Sequence, residues 1–125
     1  MLTIRRHQSA LFVQIAIDRF VGALVAHFRE HLPRHFEALG EDGTRSAIRY
    51  GIGRARSYGI ESESGVRVFI QMMFVFGPGF DTHPKLPWAS RCLTAEGDER
   101  TRLHALIAEA EDHLREADER GGPAP

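Results

Sequence analysis

Apolar residues recur through the first quarter of the chain with the spacing of an amphipathic helix. In SALFVQIAIDRFVGALVAHFREHL (9–32), Val13, Ile17, Phe20, Leu24 and Phe28 share one stripe, with Val21 at its edge. Ser9 is the expected N-cap. Pro33 is the expected stop, because the residue before a proline is pushed out of the α region. A second stripe carries Leu11, Ile15, Gly22 and Ala26, so this helix is approached from two sides. Either both sides meet the core of the same domain, or one of them waits for another chain.

The next segment, EDGTRSAIRYGIGRARSYGI (41–60), predicts a connecting loop and then a helix capped by Thr44. Gly59 supplies a left-handed residue past its end, with Ile60 folding back in a Schellman-type contact. Gly51 and Gly53 inside the pattern each cost on the order of 1 kcal/mol relative to Ala, which is tolerable where another helix packs close.

The most apolar run, ESESGVRVFIQMMFVF (61–76), has the β-branched and aromatic content of a strand. Ser62 as a cap and a length of about fifteen residues favour a helix instead. Arg67 and Gln71, four apart, then form one narrow polar strip while everything else is buried. Pro87 fits the first turn of a short helix holding Trp88 and Leu93. The cleanest amphipathic pattern is DERTRLHALIAEAEDHLREADER (98–120), with Leu103, Leu106, Ile107, Ala110, Leu114 and Ala117 on one side. The expected fold class is all-α, a compact bundle of four to five helices around a buried central helix at about 62–76. One helical domain over 1–120 is expected, followed by a disordered tail at 121–125.

Composition changes this picture little. A formal charge of −1 gives no global attraction to nucleic acid or an anionic membrane, but the charge is unevenly spread. Residues 1–67 carry ten Arg against seven acids, and residues 96–120 carry nine acids against four Arg, so the C-terminal segment suits a basic surface. Cys92 is alone, which leaves no intramolecular disulfide and no thiolate zinc cluster. The start MLTIRRHQSALF lacks a signal-peptide pattern, and the apolar run near 68–76 is too short for a bilayer. A cytoplasmic protein with no membrane partner is expected.

Three constellations invite a chemical interpretation. His27, His31 and His35 recur every four residues, and two such histidines can share a metal on one helical face. Pro33, however, interrupts the register before His35, and no third ligand is marked out nearby. A His-based metal or ligand site using His27, His31 and His83 is the alternative kept. RARSYGIESESGVRVFI (54–70), with Arg45, Arg49, Arg54 and Arg56 at hand, resembles a helix–turn–helix, and a DNA-binding module is the third possibility. Its second helix would show bases mostly Val66, Val68, Phe69, Ile70, Met72 and Met73, which is core chemistry, so no nucleic-acid partner is expected. FGPGFDTHPKLPWA (76–89) holds Asp81 and His83 but nothing supplies a nucleophile. Asp81 is expected to cap the turn with Thr82 in support, while Phe80 and Trp88 pin the corner to helix 62–76. No catalytic residue, metal ligand or cofactor is assigned.

With these residues laid out, YGIESESGVRVFIQMMFVFGPGFDTHPKLPWA (58–89) resembles the pattern yGi-s-e-dv--fi-lmf-fG--Fd--p--pWa. That pattern belongs to small co-adaptor-like accessory proteins encoded beside type VI secretion effectors, their chaperones and spike-tip proteins. The match covers about a quarter of the chain, with a vaguer likeness in the first helix. Gly65 stands where the pattern has an acidic residue and is expected to loosen the start of its helix. The resemblance implies a non-enzymatic protein-binding factor that engages an effector or its chaperone in the cytoplasm and modulates effector loading. Leu11, Ile15, Phe80 and Trp88 are the expected contact anchors, and a homo-oligomer is possible.

Overall fold

The computed structural model describes the backbone of residues 6–121 and the side chains of residues 13–120. Five α-helices follow one another: α1 (Arg6–His31), α2 (Pro33–Ser57), α3 (Glu63–Phe76), α4 (Pro87–Thr94) and α5 (Glu99–Gly121). A single 3₁₀ turn, Phe80–Thr82, lies between α3 and α4, and no strand occurs among the described residues. The fold is all-α. Its contacts group into two units, 1–50 and 51–125.

In the first unit the chain turns back on itself between Pro33 and the kink at Gly40. Pro33 stops α1 as expected, but it also opens α2, since proline's fixed φ and missing N–H suit a first helical turn. The expected loop near residue 41 is therefore absent. Its place is taken by a kink at Gly40, whose φ of 73° no side-chain-bearing residue adopts easily. Because Gly40 absorbs the change of direction, Thr44 lies inside the helix rather than at its start. It is fully buried, and its hydroxyl has no hydrogen-bond partner. Asp18 pairs with Arg49 at 3.1 Å and Arg29 with Glu41 at 3.1 Å, so α1 and this part of α2 run antiparallel. Among the described side chains of α1, Val21, Leu24, Val25 and Phe28 are buried.

The second unit is organised by α3, six of whose residues are buried: Gly65, Val66, Phe69, Ile70, Met73 and Phe74. Ser62 caps the helix, its hydroxyl accepting from the Gly65 N–H at 3.0 Å. The end of α2 forms the expected Schellman turn: Ile60 N–H donates to Ala55 O, Gly59 N–H to Arg56 O, and Gly59 has φ 78°. Gly51 lets α2 approach α3 closely, because a Cβ there would sit 2.7 Å from Ile70 Cγ1. Gly53 faces open space instead, so the expected close packing holds for one glycine of the pair.

Gly65 has the opposite role from the one expected. A Cβ would lie 2.8 Å from Leu103 Cδ1 and 2.5 Å from Glu99 Oε2, so the glycine admits α5 against the start of α3. Ser62 meets Glu99 at one end of these helices, and the Phe76 ring meets that of His113 (5.8 Å) at the other. α3 and α5 are thus parallel neighbours. Trp88, Ala89, Cys92 and Leu93 are the buried residues of α4, which Pro87 opens as expected.

Candidate protein-binding surfaces

The corner after α3 is held by a buried ion pair. Asp81 is 1% exposed and does not cap its own turn. Its Oδ2 accepts from Arg54 Nε at 3.1 Å, from Arg54 Nη2, and from the Tyr58 hydroxyl at 2.8 Å. A buried carboxylate without a nearby cation is too costly to keep, and the partner arrives from the last turns of α2, more than twenty residues earlier. Burial first, and then the hydrogen bond to Asp81, push the Tyr58 phenol above its ordinary value. His83 is exposed, and its Nδ1 accepts the Lys85 N–H at 3.0 Å, so Asp81 and His83 do not converge on one site. The loop is a cross-braced corner.

Arg102 and Glu99 are braces that sequence inspection overlooked. Arg102 Nη1 donates to the carbonyls of Tyr58 (2.8 Å) and Leu93 (2.6 Å), satisfying the C-terminal ends of α2 and α4 together. Glu99 Oε1 accepts the N–H groups of Glu61 (2.7 Å) and Ser62 (3.2 Å), while Oε2 accepts from the Ser62 hydroxyl. Partial burial pushes the Glu99 carboxyl up, but these hydrogen bonds outweigh it and hold the group below the usual carboxylate value. Neither residue forms a motif with its sequence neighbours, which is why only the tertiary contact reveals them.

The four expected anchors separate. Phe80 is fully buried against Phe69 with ring centroids 5.0 Å apart, and Trp88 is 7% exposed against Phe76 and His113. Burial takes both off the surface: they fasten the corner, and contact with a partner would require opening it. Ile15 is 42% exposed on α1, with Val13 at 48% on a different side of the helix. The Leu11 side chain lies outside the described residues. Farther along the second stripe Ala26 is exposed, and a Cβ on Gly22 would meet nothing within 4 Å. Among the described residues of α1, then, the first stripe is buried only from Val21 onward, and Ile15 and Ala26 of the second stripe are exposed.

The parallel pair α3 and α5 encloses a groove. One hollow of about 560 Å³ is lined near the helix starts by Ser64, Gly65, Val68, Arg100, Leu103 and His104. A second of about 280 Å³ is lined farther along by Met72, Val75, Glu111 and Leu114. Val68 and Ile107 line both, so the two hollows meet. The exposed side of α3 is wider and more apolar than the Arg67–Gln71 strip expected: Val75 is 56% exposed, and Val68 and Met72 are half-buried.

The histidines of the metal alternative fall in different units. His27 and His31 lie with ring centroids 4.5 Å apart on α1, whereas His83 belongs to the α3–α4 corner. Among the described residues no group of three His, Cys, Asp or Glu could hold a metal ion. No helix among them is long and apolar enough to cross a membrane. In comparisons with known proteins, the chain matches no family model, no curated protein and no solved structure.

Proposed function

We propose that this chain is a non-enzymatic accessory factor that binds a type VI secretion effector or its chaperone and modulates effector loading. One observation carries the protein-binding part: α1 presents large apolar side chains, Val13 and Ile15, to solvent on two different sides. A helix that is apolar on several sides is stable when those sides are covered, and contact patches centre on such anchors with charges at the rim. The secretion-system part rests on the likeness of residues 58–89 to that family's pattern. Those residues build the α3 core and the braced corner, so they speak for kinship of fold rather than for a contact surface. The cytoplasm is the compartment in which such loading takes place.

The test is a tagged pull-down from the native host. The wild-type chain is expected to bring down an effector or its dedicated chaperone. Ile15→Asp and Val13→Asp should abolish capture while leaving helical circular dichroism intact, because both side chains are already exposed. Capture that survives both substitutions removes α1 as the contact surface. Capture of no type VI component removes the secretion assignment.

A further inference from the structure

The last turns of α1 bring two imidazoles together on one side of the helix. His27 and His31 stand four residues apart, and their ring centroids lie 4.5 Å apart with the planes tilted by 43°. An ion held by two imidazoles sits about 3.2 Å from each centroid, from a metal–nitrogen bond of about 2.0 Å plus the radius of the ring. With a right angle between the two bonds the centroids are then about 4.5 Å apart, and with the tetrahedral angle about 5.2 Å. The observed spacing is that of the right angle. His27 is half-buried, its ring set against that of the buried Phe28 at 5.5 Å, whereas His31 is exposed. Helical side chains lean toward the N-terminus, where Ala23, small and exposed, leaves room beside the pair. The charges nearby suit a cation. Arg29 is drawn away to Glu41 at 3.1 Å and over the Phe36 ring, the Glu30 carboxylate is exposed, and α1 ends at His31 with its carbonyl dipoles.

We propose that His27 and His31 together chelate a divalent transition-metal ion, copper(II) foremost and nickel(II) next, through two adjacent coordination positions. Imidazole nitrogen binds copper, nickel and zinc alike, so geometry makes the choice. A right angle belongs to the tetragonal sites of copper(II) and nickel(II), whereas zinc prefers the wider tetrahedral angle. Among the described residues no third His, Cys, Asp or Glu joins the pair. The site is therefore open, with its remaining positions left to water or to a donor atom of a bound molecule. It needs neither His35 nor His83. The two rings are held one turn apart only while α1 is helical, so the ion binds the folded chain in preference to the unfolded one and stabilises it. The proposal does not rest on the secretion assignment, and the pull-down and the metal titration can fail separately.

The test is calorimetric titration of the untagged full chain with copper(II), nickel(II) or zinc chloride alone, in a buffer that does not chelate. The tightest site is expected to take one ion per chain, with affinity falling in the order copper, nickel, zinc. Spin-echo resonance of the copper complex should show two imidazole ligands, and the ion should raise the melting temperature. His27→Gln and His31→Gln should each weaken the tightest site by roughly a hundredfold, because the second ligand no longer binds within the same molecule. Each should also remove one imidazole from the spectrum and cancel the metal-induced rise in melting temperature. His31 is exposed, so His31→Gln keeps the fold, checked by circular dichroism, even where His27→Gln disturbs it. His35→Gln and His83→Gln should bind as the wild type does. A wild-type chain without saturable binding overturns the proposal, as does zinc bound at least as tightly as nickel. An affinity indifferent to His31→Gln also overturns it, since the ion would then be held adventitiously elsewhere.

Discussion

The Tyr58 hydroxyl donates to Asp81 Oδ2 at 2.8 Å, and the same oxygen receives the Arg54 guanidinium. Two residues from the end of α2 thereby lock the 3₁₀ turn that follows α3. The brace explains how a segment containing two glycines and three prolines keeps one shape. It also accounts for a carboxylate that is 1% exposed.

Removing the carboxylate should show its weight. Asp81→Asn keeps the size of the side chain but leaves Arg54 without its counter-charge. Arg54 is about one-third exposed and can partly rehydrate, so the expected loss is about 2–3 kcal/mol, at or below the lower end of the range for a fully buried pair. Urea denaturation with an unchanged slope measures it. A loss below about 0.5 kcal/mol would mean that the pair is dispensable.

Two glycines in one helix should respond with opposite signs. Gly53→Ala meets no neighbour within 4 Å and should stabilise the protein by up to about 1 kcal/mol through helix propensity alone. Gly51→Ala places a Cβ 2.7 Å from Ile70 Cγ1 and 2.8 Å from Met73 Sδ, and should cost about 1–3 kcal/mol. Thermal melting of the two variants beside wild type decides. Equal shifts would contradict the packing of α2 on α3.

Acid should weaken the α3–α5 contact through Glu99. Its carboxyl titrates below the ordinary glutamate value in the folded chain, so its stabilisation is complete above that ordinary value. The contribution disappears as pH falls through the lower folded value, where the proton binds and the anion's hydrogen bonds weaken. Glu99→Gln should therefore be less stable than wild type at neutral pH and should lose less on acidification. Parallel stability curves for the two proteins between neutral and acidic pH would show that Glu99 carries no pH dependence.

The thiol of Cys92 should be inert until the chain unfolds. It is 7% exposed, and burial foremost, with Glu109 nearby, pushes its pKa above the ordinary value, keeping the reactive thiolate scarce. A thiol reagent is expected to label it slowly in buffer and rapidly in denaturant. Rapid labelling of the native protein would place α4 in easy exchange with an open state.

Local pattern alone determined α3, α4, α5 and the close of α2, but it missed two openings: α1 begins at Arg6 with Ser9 inside it, and α2 begins at Pro33 rather than at Thr44. Ser62 capped α3, Gly59 and Ile60 closed α2, Pro87 opened α4, and the apolar period of α5 was legible because each depends on neighbours within about one or two helical turns. What lies opposite a residue was not legible. Asp81 looked like a turn cap because its true partners, Arg54 and Tyr58, stand more than twenty positions away. Gly65 looked like a weak helix start because Leu103, which occupies the space its side chain would need, lies on another helix. Phe80 and Trp88 looked like anchors because an aromatic residue in a loop reads alike whether it faces water or the core. Helical period reports which residues share a face, whereas burial and ion pairing depend on the distance between elements. Only the packed chain decided which apolar faces were covered, and it left Ile15, Val75 and Leu114 in solvent.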